Sequence, residues 1–289
     1  MSHIIMIFNY NNQREVVALL GAGSMGMAIV ERIAANRIVL LGDISEKALA
    51  ASREKLEYSG YAVETMQVDA SDKGSIYAFA RRAAELGPVM YFINTAGASP
   101  HQTNPQHIIN LDLIGSAYSL DAFGDIMARG GAGILISSMT GYMLPEPLPQ
   151  EVENALTVTE SDRLAQLPCL QPEAVPNSGV AYVLSKRANQ LRVRKAAMDW
   201  GRRGARINTI SPGIVVTPLA YDEFNADGEG YQKMIEASAL QRVGNPAEIA
   251  AAATFLLSDQ ATFITGTDLL VDGGMIAAIK TGHYQMQLS

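Results

Sequence analysis

The chain has 289 residues, of which 48% are hydrophobic and 18% are charged. This composition is ordinary for a chain that buries a core, and it excludes intrinsic disorder over most of the length. The length suits one large α/β domain, so we expect residues 1–289 to form a single domain. The net charge is −7, and basic residues are not concentrated among aromatic ones, which argues against a nucleic-acid or anionic-membrane surface.

The few cysteines and histidines limit the metal and redox chemistry of the chain. The single cysteine, Cys169, excludes an intrachain disulfide and a cysteine-based metal site. The four histidines are scattered, so we expect no metal. The apolar stretch 4–8 is too short for a secretion signal, and no unbroken apolar run is long enough to span a membrane. We therefore expect a soluble, cytoplasmic protein that binds neither nucleic acid nor membrane.

Short apolar runs alternate with longer helical stretches from residue 16 onward. The runs predict strands at 16–20, 38–41, 61–68, 89–93, 133–137, 206–210 and 269–271. The stretches between them predict helices that end at Ala34, that cover 45–59, 72–86, 104–129 and 180–202, and that begin at Asn245-Pro246. Nearly continuous apolar strands separated by helices form parallel sheets covered on both faces. We therefore predict a doubly wound α/β fold with three αβα layers.

Residues 142–179, which we call the insertion, interrupt this alternation. They hold six of the twelve prolines, six acidic residues and a single basic residue, Arg163. Such a composition predicts a long loop with a short helix around 150–165.

A glycine-rich turn, Gly21-Ala22-Gly23-Ser24-Met25-Gly26, follows the first strand and opens the first helix. The first two glycines permit a tight turn and a close approach of pyrophosphate to the backbone, while the third lets helix and strand pack closely. The helix N-terminus favours the phosphate charge. The motif alone is a weak signal, but its position between a strand and a helix predicts dinucleotide binding.

Asp43 ends the second strand and indicates which dinucleotide is preferred. A carboxylate there accepts hydrogen bonds from the ribose hydroxyls of NAD and repels the 2′-phosphate of NADP. Ile44 and Ser45 offer no arginine for such a phosphate, so NAD is favoured over NADP. Because Asp43 also precedes the helix at 45–59, a role as helix cap is the alternative, and both roles are compatible.

Tyr182 and Lys186 lie four residues apart, on one face of the predicted helix 180–202. A tyrosine with an ordinary pKa of about 10 is a poor base at neutral pH. A neighbouring ammonium stabilises the phenolate and lowers the pKa, which would make Tyr182 a usable acid and base. Taken alone, a tyrosine and a lysine at this spacing are more often ordinary surface residues than catalytic ones.

Other polar residues follow the ends of predicted strands, where ligands of parallel sheets bind. They are Asn94-Thr95-Ala96-Gly97, Ser137-Ser138 and the run Ser211 to Pro218. In this order the set resembles the short-chain dehydrogenase/reductase family of NAD(P)-dependent oxidoreductases. The run from Gln241 to Val271-Asp272-Gly273-Gly274 is similar to that family's most recognisable signature, and the resemblance covers about residues 16–275.

The resemblance implies a Rossmann fold and a role for each matching residue. Tyr182 would be the general acid/base, Lys186 would lower its pKa and bind the nicotinamide ribose, and Ser138 would polarise the substrate carbonyl or alcohol. Hydride would pass between C4 of the nicotinamide and a carbinol or carbonyl carbon. The further implied cofactor contacts are Asp69 and Ala70 at the adenine, Asn94, Ala96 and Gly97 along the cofactor, and Pro212, Gly213, Ile214 and Thr217 at the nicotinamide.

The chain departs from the family pattern in three places. The glycine turn is tighter than the usual T-G-x-x-x-G-x-G. Asp112 stands where the family has a catalytic asparagine, in the run 110–115, and a buried carboxylate there would change the local titration. We expect Asp112 to act near Lys186, with Asn110 as the alternative if the register slips. Third, the insertion lengthens the connection between Ser138 and Tyr182.

Two segments are expected to shape the substrate site. The insertion leaves the rim of this site, and we expect an acidic lid or a subunit contact, with a passive surface loop as the alternative. Residues 218–240 carry Tyr221, Phe224, Tyr231 and Met234, which either close over the substrate or belong to the core. The resemblance also implies a homodimer or homotetramer that pairs through helices 104–129 and 180–202.

These observations predict an NAD-dependent alcohol dehydrogenase or carbonyl reductase for a small to medium substrate. Sterol-like, polyol and acyl substrates all remain open. The competing hypothesis is a non-catalytic dinucleotide-binding regulatory or scaffold protein, against which the retention of Ser138, Tyr182 and Lys186 argues. Nucleotide-sugar epimerases and dehydratases share the Y-x-x-x-K spacing, but the Val271–Gly274 motif near the end of this chain is not typical of them.

Overall fold

A computed structural model describes residues 14–144 and 146–285 and contains one seven-stranded sheet. The apolar stretch 4–8 lies outside these ranges. All neighbouring strands pair in parallel, in the order β3-β2-β1-β4-β5-β6-β7. The strands are β1 Val16–Leu20, β2 Ile38–Asp43, β3 Ala62–Gln67, β4 Val89–Asn94, β5 Met127–Ile136, β6 Arg206–Pro212 and β7 Asp268–Val271.

Helices cover both faces of the sheet, which confirms the predicted three-layer doubly wound fold. They are α1 Ser24–Ile33, α2 Glu46–Tyr58, α3 Lys73–Leu86, α4 Pro105–Ile108, α5 Ser116–Gly124, α6 Gln150–Val158, α7 Ser178–Arg202, α8 Pro218–Ala226, α9 Gly228–Ala237, α10 Pro246–Leu257 and α11 Met275–Lys280. Across the described part of the chain, we find no helix with the length and apolarity that crossing a membrane requires.

Apolar clusters hold the helices against each face of the sheet. On one face Phe92 stacks on Phe123 with 3.7 Å between ring centroids, and the buried Trp200 indole donates to the Leu120 carbonyl. On the other face α1 and α10 pack side by side through residues such as Ile29 and Ile249. Because both faces are covered, the carboxyl ends of the strands are fixed relative to one another.

Two predicted bounds between residues 104 and 137 are wrong. The helix predicted over 104–129 is divided into α4, a π-helix over Ile109–Gly115, and α5, which ends at Gly124. The strand predicted over 133–137 begins earlier, at Met127. The register between β4 and β5 shifts in this part of the strand, near Gly130, which has a φ of +84°. This irregularity interrupts the apolar pattern from which strands are predicted.

Gly115, the last residue of the π-helix, lies close to the backbone of Ala70. A Cβ atom at Gly115 would lie 1.9 Å from the carbonyl oxygen of Ala70, so only glycine fits at this contact. Single π-helical turns are rare and occur often at functional sites. Here the turn contains Asp112, whose side chain is fully buried.

The insertion packs against the rest of the chain and contains more helical structure than the predicted long loop with one short helix. It contains α6, within the range where a short helix was predicted, and two 3₁₀ turns, Ser161–Gln166 and Pro168–Leu170. Its buried apolar side chains contact the π-helix and α7, and they are Leu156, Leu164, Leu170 and Val175. None of residues 181–193 of α7 is exposed. The insertion thus covers part of α7, whose exposed residues include Val180 and Met198. The subunit pairing that the resemblance implies stays a prediction.

Arg192 of α7 holds the insertion in place from its buried side. Its side chain is only 4% exposed and donates to the carbonyls of Leu156 and Thr159 and to the Ser161 hydroxyl. The Ser161 hydroxyl in turn donates to Asp121 at 2.5 Å. Asp121 is the nearby negative charge that balances the buried guanidinium.

We predict that Arg192→Met loosens the insertion, because three polar partners then lose a charged donor. The free energy of unfolding should fall by about 2–4 kcal/mol in urea titrations. Protease cleavage between residues 146 and 177 should become faster. The matched control is Arg202→Met on the same helix, whose 76% exposed side chain pairs with Asp199 and should contribute less than about 1 kcal/mol. Equal stability of the two variants would contradict the anchoring role.

Candidate active site

A first cavity, of about 360 Å³, opens at the carboxyl edge of the sheet, beside the ends of β1 and β4. The chain reverses its direction across the sheet at these two strands, which is where open α/β sheets bind ligands. The cavity gathers most of the residues predicted to bind a dinucleotide, namely Gly21, Gly23, Ser24, Met25, Asp43, Asp69, Ala70, Ala96, Gly97 and Thr217.

The three glycines of the turn have different reasons to be glycine. Gly21 has a φ of +92°, and a Cβ there would lie 2.6 Å from the Ala96 nitrogen. A Cβ at Gly26 would lie 2.7 Å from Leu19 Cδ1, so Gly26 allows α1 to pack closely on β1. Around Gly23 there is nothing within 4 Å of such an atom. The backbone at Gly23 therefore faces open space, where a ligand phosphate can approach it.

The N-terminus of α1 fits an anionic group. α1 begins at Ser24, its N-cap residue Gly23 provides no side-chain cap, and its first turn has no acidic residue. By contrast, the side chains of Ser45, Asp72 and Asn245 cap α2, α3 and α10. The first amide groups of α1 are thus left to a ligand, and the helix dipole favours negative charge there.

Asp43 is held rigidly at the edge of the first cavity. One carboxylate oxygen accepts from the Ala22 nitrogen at 2.8 Å, and the other accepts from the Ser45 nitrogen at 2.9 Å. Ser45, rather than Asp43, caps α2. The described residues that line the cavity include no lysine or arginine.

The loop after β4 supports the glycine turn, partly through Thr95, which the sequence analysis named in the run 94–97 without giving it a role of its own. The Thr95 hydroxyl donates to the Gly21 carbonyl at 2.7 Å, and Thr95 lines the first cavity. Asn94, which was predicted to line the cofactor, is buried and not among the lining residues. Its side chain donates to Ser119 and accepts from the Ala96 nitrogen, so it shapes this loop instead.

A second cavity, of about 230 Å³, adjoins the first, and Met25 and Thr217 line both. It contains Ser138 and Tyr182. The second cavity also includes the residues predicted to flank the nicotinamide, which are Pro212, Gly213 and Ile214. The ends of β5 and β6 and the beginning of α7 thus bring together the predicted proton-transfer residues.

Lys186 lies behind Tyr182 in a buried position. Its ammonium nitrogen is 5.1 Å from the centroid of the Tyr182 ring. The Ser137 hydroxyl donates to the backbone carbonyl of Lys186 at 2.8 Å, which ties α7 to the end of β5. The Ser138 hydroxyl oxygen accepts from the Thr140 nitrogen at 3.2 Å, which fixes its orientation at the cavity.

Asp112, and not Asn110, faces Lys186, so the predicted register holds. The Lys186 ammonium is 3.2 Å from Asp112 Oδ2, and Asp112 Oδ1 accepts from the Ala98 nitrogen at 2.9 Å. Burial raises the pKa of the Asp112 carboxyl, against the opposing effect of the ammonium. Burial alone would lower the pKa of Lys186, but Asp112 and Tyr182 outweigh this effect and raise it. Lys186 is therefore held in its charged form.

Gln190 is a residue that the sequence analysis did not select. Its amide nitrogen lies 3.2 Å from the Ser138 carbonyl and 3.0 Å from the Ser211 hydroxyl, and it donates to both. It connects the end of β5 to the end of β6 beneath the second cavity. The signal for it was its position four residues after Lys186 and eight after Tyr182, on the same face of α7.

Helices α8 and α9 form one wall of the second cavity. Phe224 and Tyr231 line it and meet edge to face with 5.1 Å between ring centroids. Tyr221 is 58% exposed, and Met234 packs into a core cluster with Met139. The aromatic residues predicted here are thus divided between cavity wall, surface and core. Only Gly179 of the insertion is among the described lining residues, which gives no support to an acidic lid.

Comparisons with known proteins point to one family. Residues 15–147 match the family described as short chain dehydrogenase, and residues 169–276 match the family described as enoyl-(acyl carrier protein) reductase. The chain is 37% identical to the short-chain dehydrogenase/reductase bsc3 of Alternaria brassicicola, over 92% of this chain and 97% of that protein. Residues 148–168, inside the insertion, fall between the two family matches.

Two further relatives are more distant. Galactitol 2-dehydrogenase (L-tagatose-forming) of Cereibacter sphaeroides is 28% identical over 89% of this chain and 93% of its own. The crystal structure of a short chain dehydrogenase from Burkholderia cenocepacia in complex with NADP shares the fold. Comparison of the two structures gives a TM-score of 0.70 and a sequence identity of 22%. The match covers 91% of this chain and 97% of that chain.

Proposed function

We propose that this chain, which belongs to the short-chain dehydrogenase/reductase family of oxidoreductases, interconverts a secondary alcohol and a ketone with NAD. The observation that carries the proposal is that Ser138 and Tyr182 line a cavity next to the glycine turn, with the Lys186 ammonium 5.1 Å from the centroid of the Tyr182 ring. The partner is a small-molecule alcohol or ketone. One sheet accounts for all described strands, which supports a single domain over 1–289.

The first cavity fits a dinucleotide of the NAD(P) type, which the family binds. The open backbone at Gly23 and the uncapped start of α1 suit the pyrophosphate. Asp69 and Ala70 would lie at the adenine, while Gly97 and Thr217 would lie nearer the nicotinamide. The fixed carboxylate of Asp43 supports NAD, because a 2′-phosphate would meet its negative charge with no lysine or arginine among the described lining residues.

The nicotinamide supplies or accepts the hydride, and the side chains of this chain handle the proton. Ser138 orients and polarises the substrate oxygen by hydrogen bonding. Tyr182 donates its phenolic proton to that oxygen during reduction and removes it during oxidation. Lys186, held charged by its surroundings, stabilises the phenolate form of Tyr182. Pro212, Gly213 and Ile214 line the second cavity, where they would flank the nicotinamide.

Asp112 acts through Lys186 rather than on the substrate. Its carboxylate fixes the ammonium and keeps it protonated at a depth where burial alone would favour the neutral amine. The alternative is a non-catalytic dinucleotide-binding scaffold. In such a protein no substrate oxygen reacts, so the buried ion pair would have no chemical role. The presence of Ser138 and Tyr182 in the same cavity argues against that alternative.

Replacing Tyr182 with Phe tests the proposal. The variant lacks the proton donor but keeps the ring, so turnover should fall at least about 100-fold. NADH affinity, followed by nicotinamide fluorescence, should remain within about threefold of the wild type. Tyr221→Phe, at an exposed position on α8, is the control and should leave turnover unchanged. Full activity of Tyr182→Phe would refute the assigned role.

The preference for NAD depends on Asp43. In side-by-side fluorescence titrations, NADH should bind at least about tenfold more tightly than NADPH, because the 2′-phosphate is repelled. Asp43→Asn should reduce this ratio, whereas Glu46→Gln, which removes an exposed charge from the first turn of α2, should not. Tighter binding of NADPH to the wild type would overturn the assignment of Asp43.

Asp112→Asn should alter the pH dependence of ketone reduction. Without the carboxylate, burial lowers the pKa of Lys186, so its charge is lost at lower pH than in the wild type. The alkaline limb of the kcat/KM profile should therefore move toward acid by about one pH unit or more. Asp121→Asn removes another buried carboxyl, which contacts the insertion, and should leave the profile in place. Identical profiles for Asp112→Asn and the wild type would exclude the coupling.

A further inference from the structure

The walls of the second cavity are mainly apolar. They are formed by side chains such as Met25, Val183, Ile214, Ala220 and Phe224. Among the described residues that line the cavity, only His101, Tyr182 and Tyr231 carry an ionisable side chain, and none is a lysine, an arginine or a carboxylate. His101 is exposed at the protein surface, so its imidazole is surrounded by water. The cavity interior therefore has, among the described residues, no charged side chain that could neutralise a charged substrate.

Besides Ser138 and Tyr182, the described lining side chains that can hydrogen-bond are Ser137, Thr140, Thr217, Tyr231 and His101. The Ser137 hydroxyl already donates to the Lys186 carbonyl. The Thr140 hydroxyl oxygen is buried and inaccessible to solvent. The Thr217 hydroxyl oxygen already accepts from the Ala220 nitrogen at 3.1 Å. Ser138 and Tyr182 would both be occupied by the reacting oxygen. A second or third hydroxyl on a substrate would therefore lose its bonds to water and find few replacements.

We infer that the substrate is a neutral ketone, or the corresponding secondary alcohol, whose carbon skeleton is otherwise apolar. This inference rests on the proposed function and adds the class of substrate to it. A carboxylate or phosphate would have to give up its hydration in a cavity without a counter-charge, which is strongly unfavourable. Polyols and charged acyl groups, which the sequence left open, are disfavoured for the same physical reason.

Phe224 sets the size of this substrate. Its ring is held edge to face by Tyr231 on one side, at 5.1 Å, and by Tyr221 on the other, at 6.3 Å between centroids. Phe224 and Tyr231 line the cavity, whereas Tyr221 does not. Shortening Phe224 would therefore enlarge the apolar space, whereas shortening Tyr221 would remove only an exposed support.

The test compares three ketones with the wild-type protein and saturating NADH or NADPH. They are 4-methylcyclohexanone, the similarly sized anion 4-oxocyclohexanecarboxylate, and the polyhydroxy ketone erythrulose. We expect kcat/KM for 4-methylcyclohexanone to exceed that for each of the others by about 100-fold, since an apolar pocket rejects an added hydroxyl by roughly that factor. Turnover that favours the anion or erythrulose would overturn the substrate class alone. Turnover of none of the three would overturn the proposed function and the inference with it.

A pair of variants tests the position of the apolar wall. Phe224→Ala should raise the ratio of kcat/KM for 4-tert-butylcyclohexanone over 4-methylcyclohexanone by at least about tenfold, because the larger alkyl group gains space. Tyr221→Ala should leave the ratio unchanged. NADH titration should give the same affinity for both variants, which shows that the protein is folded. An unchanged ratio in a Phe224→Ala protein that binds NADH normally would overturn the assignment of this wall.

Discussion

The buried ion pair between Lys186 and Asp112 is the interaction on which the rest of the site depends. It joins three segments that are distant in sequence, because Asp112 lies in the π-helix, Lys186 lies in α7, and the Ala98 nitrogen of the loop after β4 donates to Asp112. Two charges in a buried site stabilise the fold little by themselves, but either one alone would be costly. The pair therefore fixes the ammonium beside Tyr182, in one geometry and in one charge state.

The parallel sheet supplies the frame for this pair. Covered on both faces, it places the ends of β1, β4, β5 and β6 at one edge, so that two adjoining cavities form there. The first presents backbone amides and Asp43, which suit a dinucleotide. The second presents hydroxyls, two phenols and apolar side chains. The two cavities have largely different lining residues, so the residues proposed to bind the cofactor are mostly separate from those proposed to contact the substrate.

Features that depend on nearby residues were predictable from the sequence, and features that depend on distant contacts were not. The glycine turn, Asp43, and the four-residue spacing of Tyr182 and Lys186 all follow local patterns, and the structure brings them to the expected edge. Thr95 was named only as part of the run 94–97, and Gln190 was missed, because their partners, Gly21 and Ser138, are distant in sequence. The close approach of Gly115 to Ala70 and the contacts of Arg192 with the insertion are also long-range, so neither was visible in the local pattern.

The most direct test of this account is a single-turnover reaction with NADH that carries deuterium at both C4 positions and 4-methylcyclohexanone as the ketone. Mass spectrometry of the alcohol product measures whether deuterium has reached the carbinol carbon. The account predicts one deuterium per product molecule with the wild type and almost no product with Tyr182→Phe. Alcohol formed without deuterium, or equal product from both proteins, would contradict it.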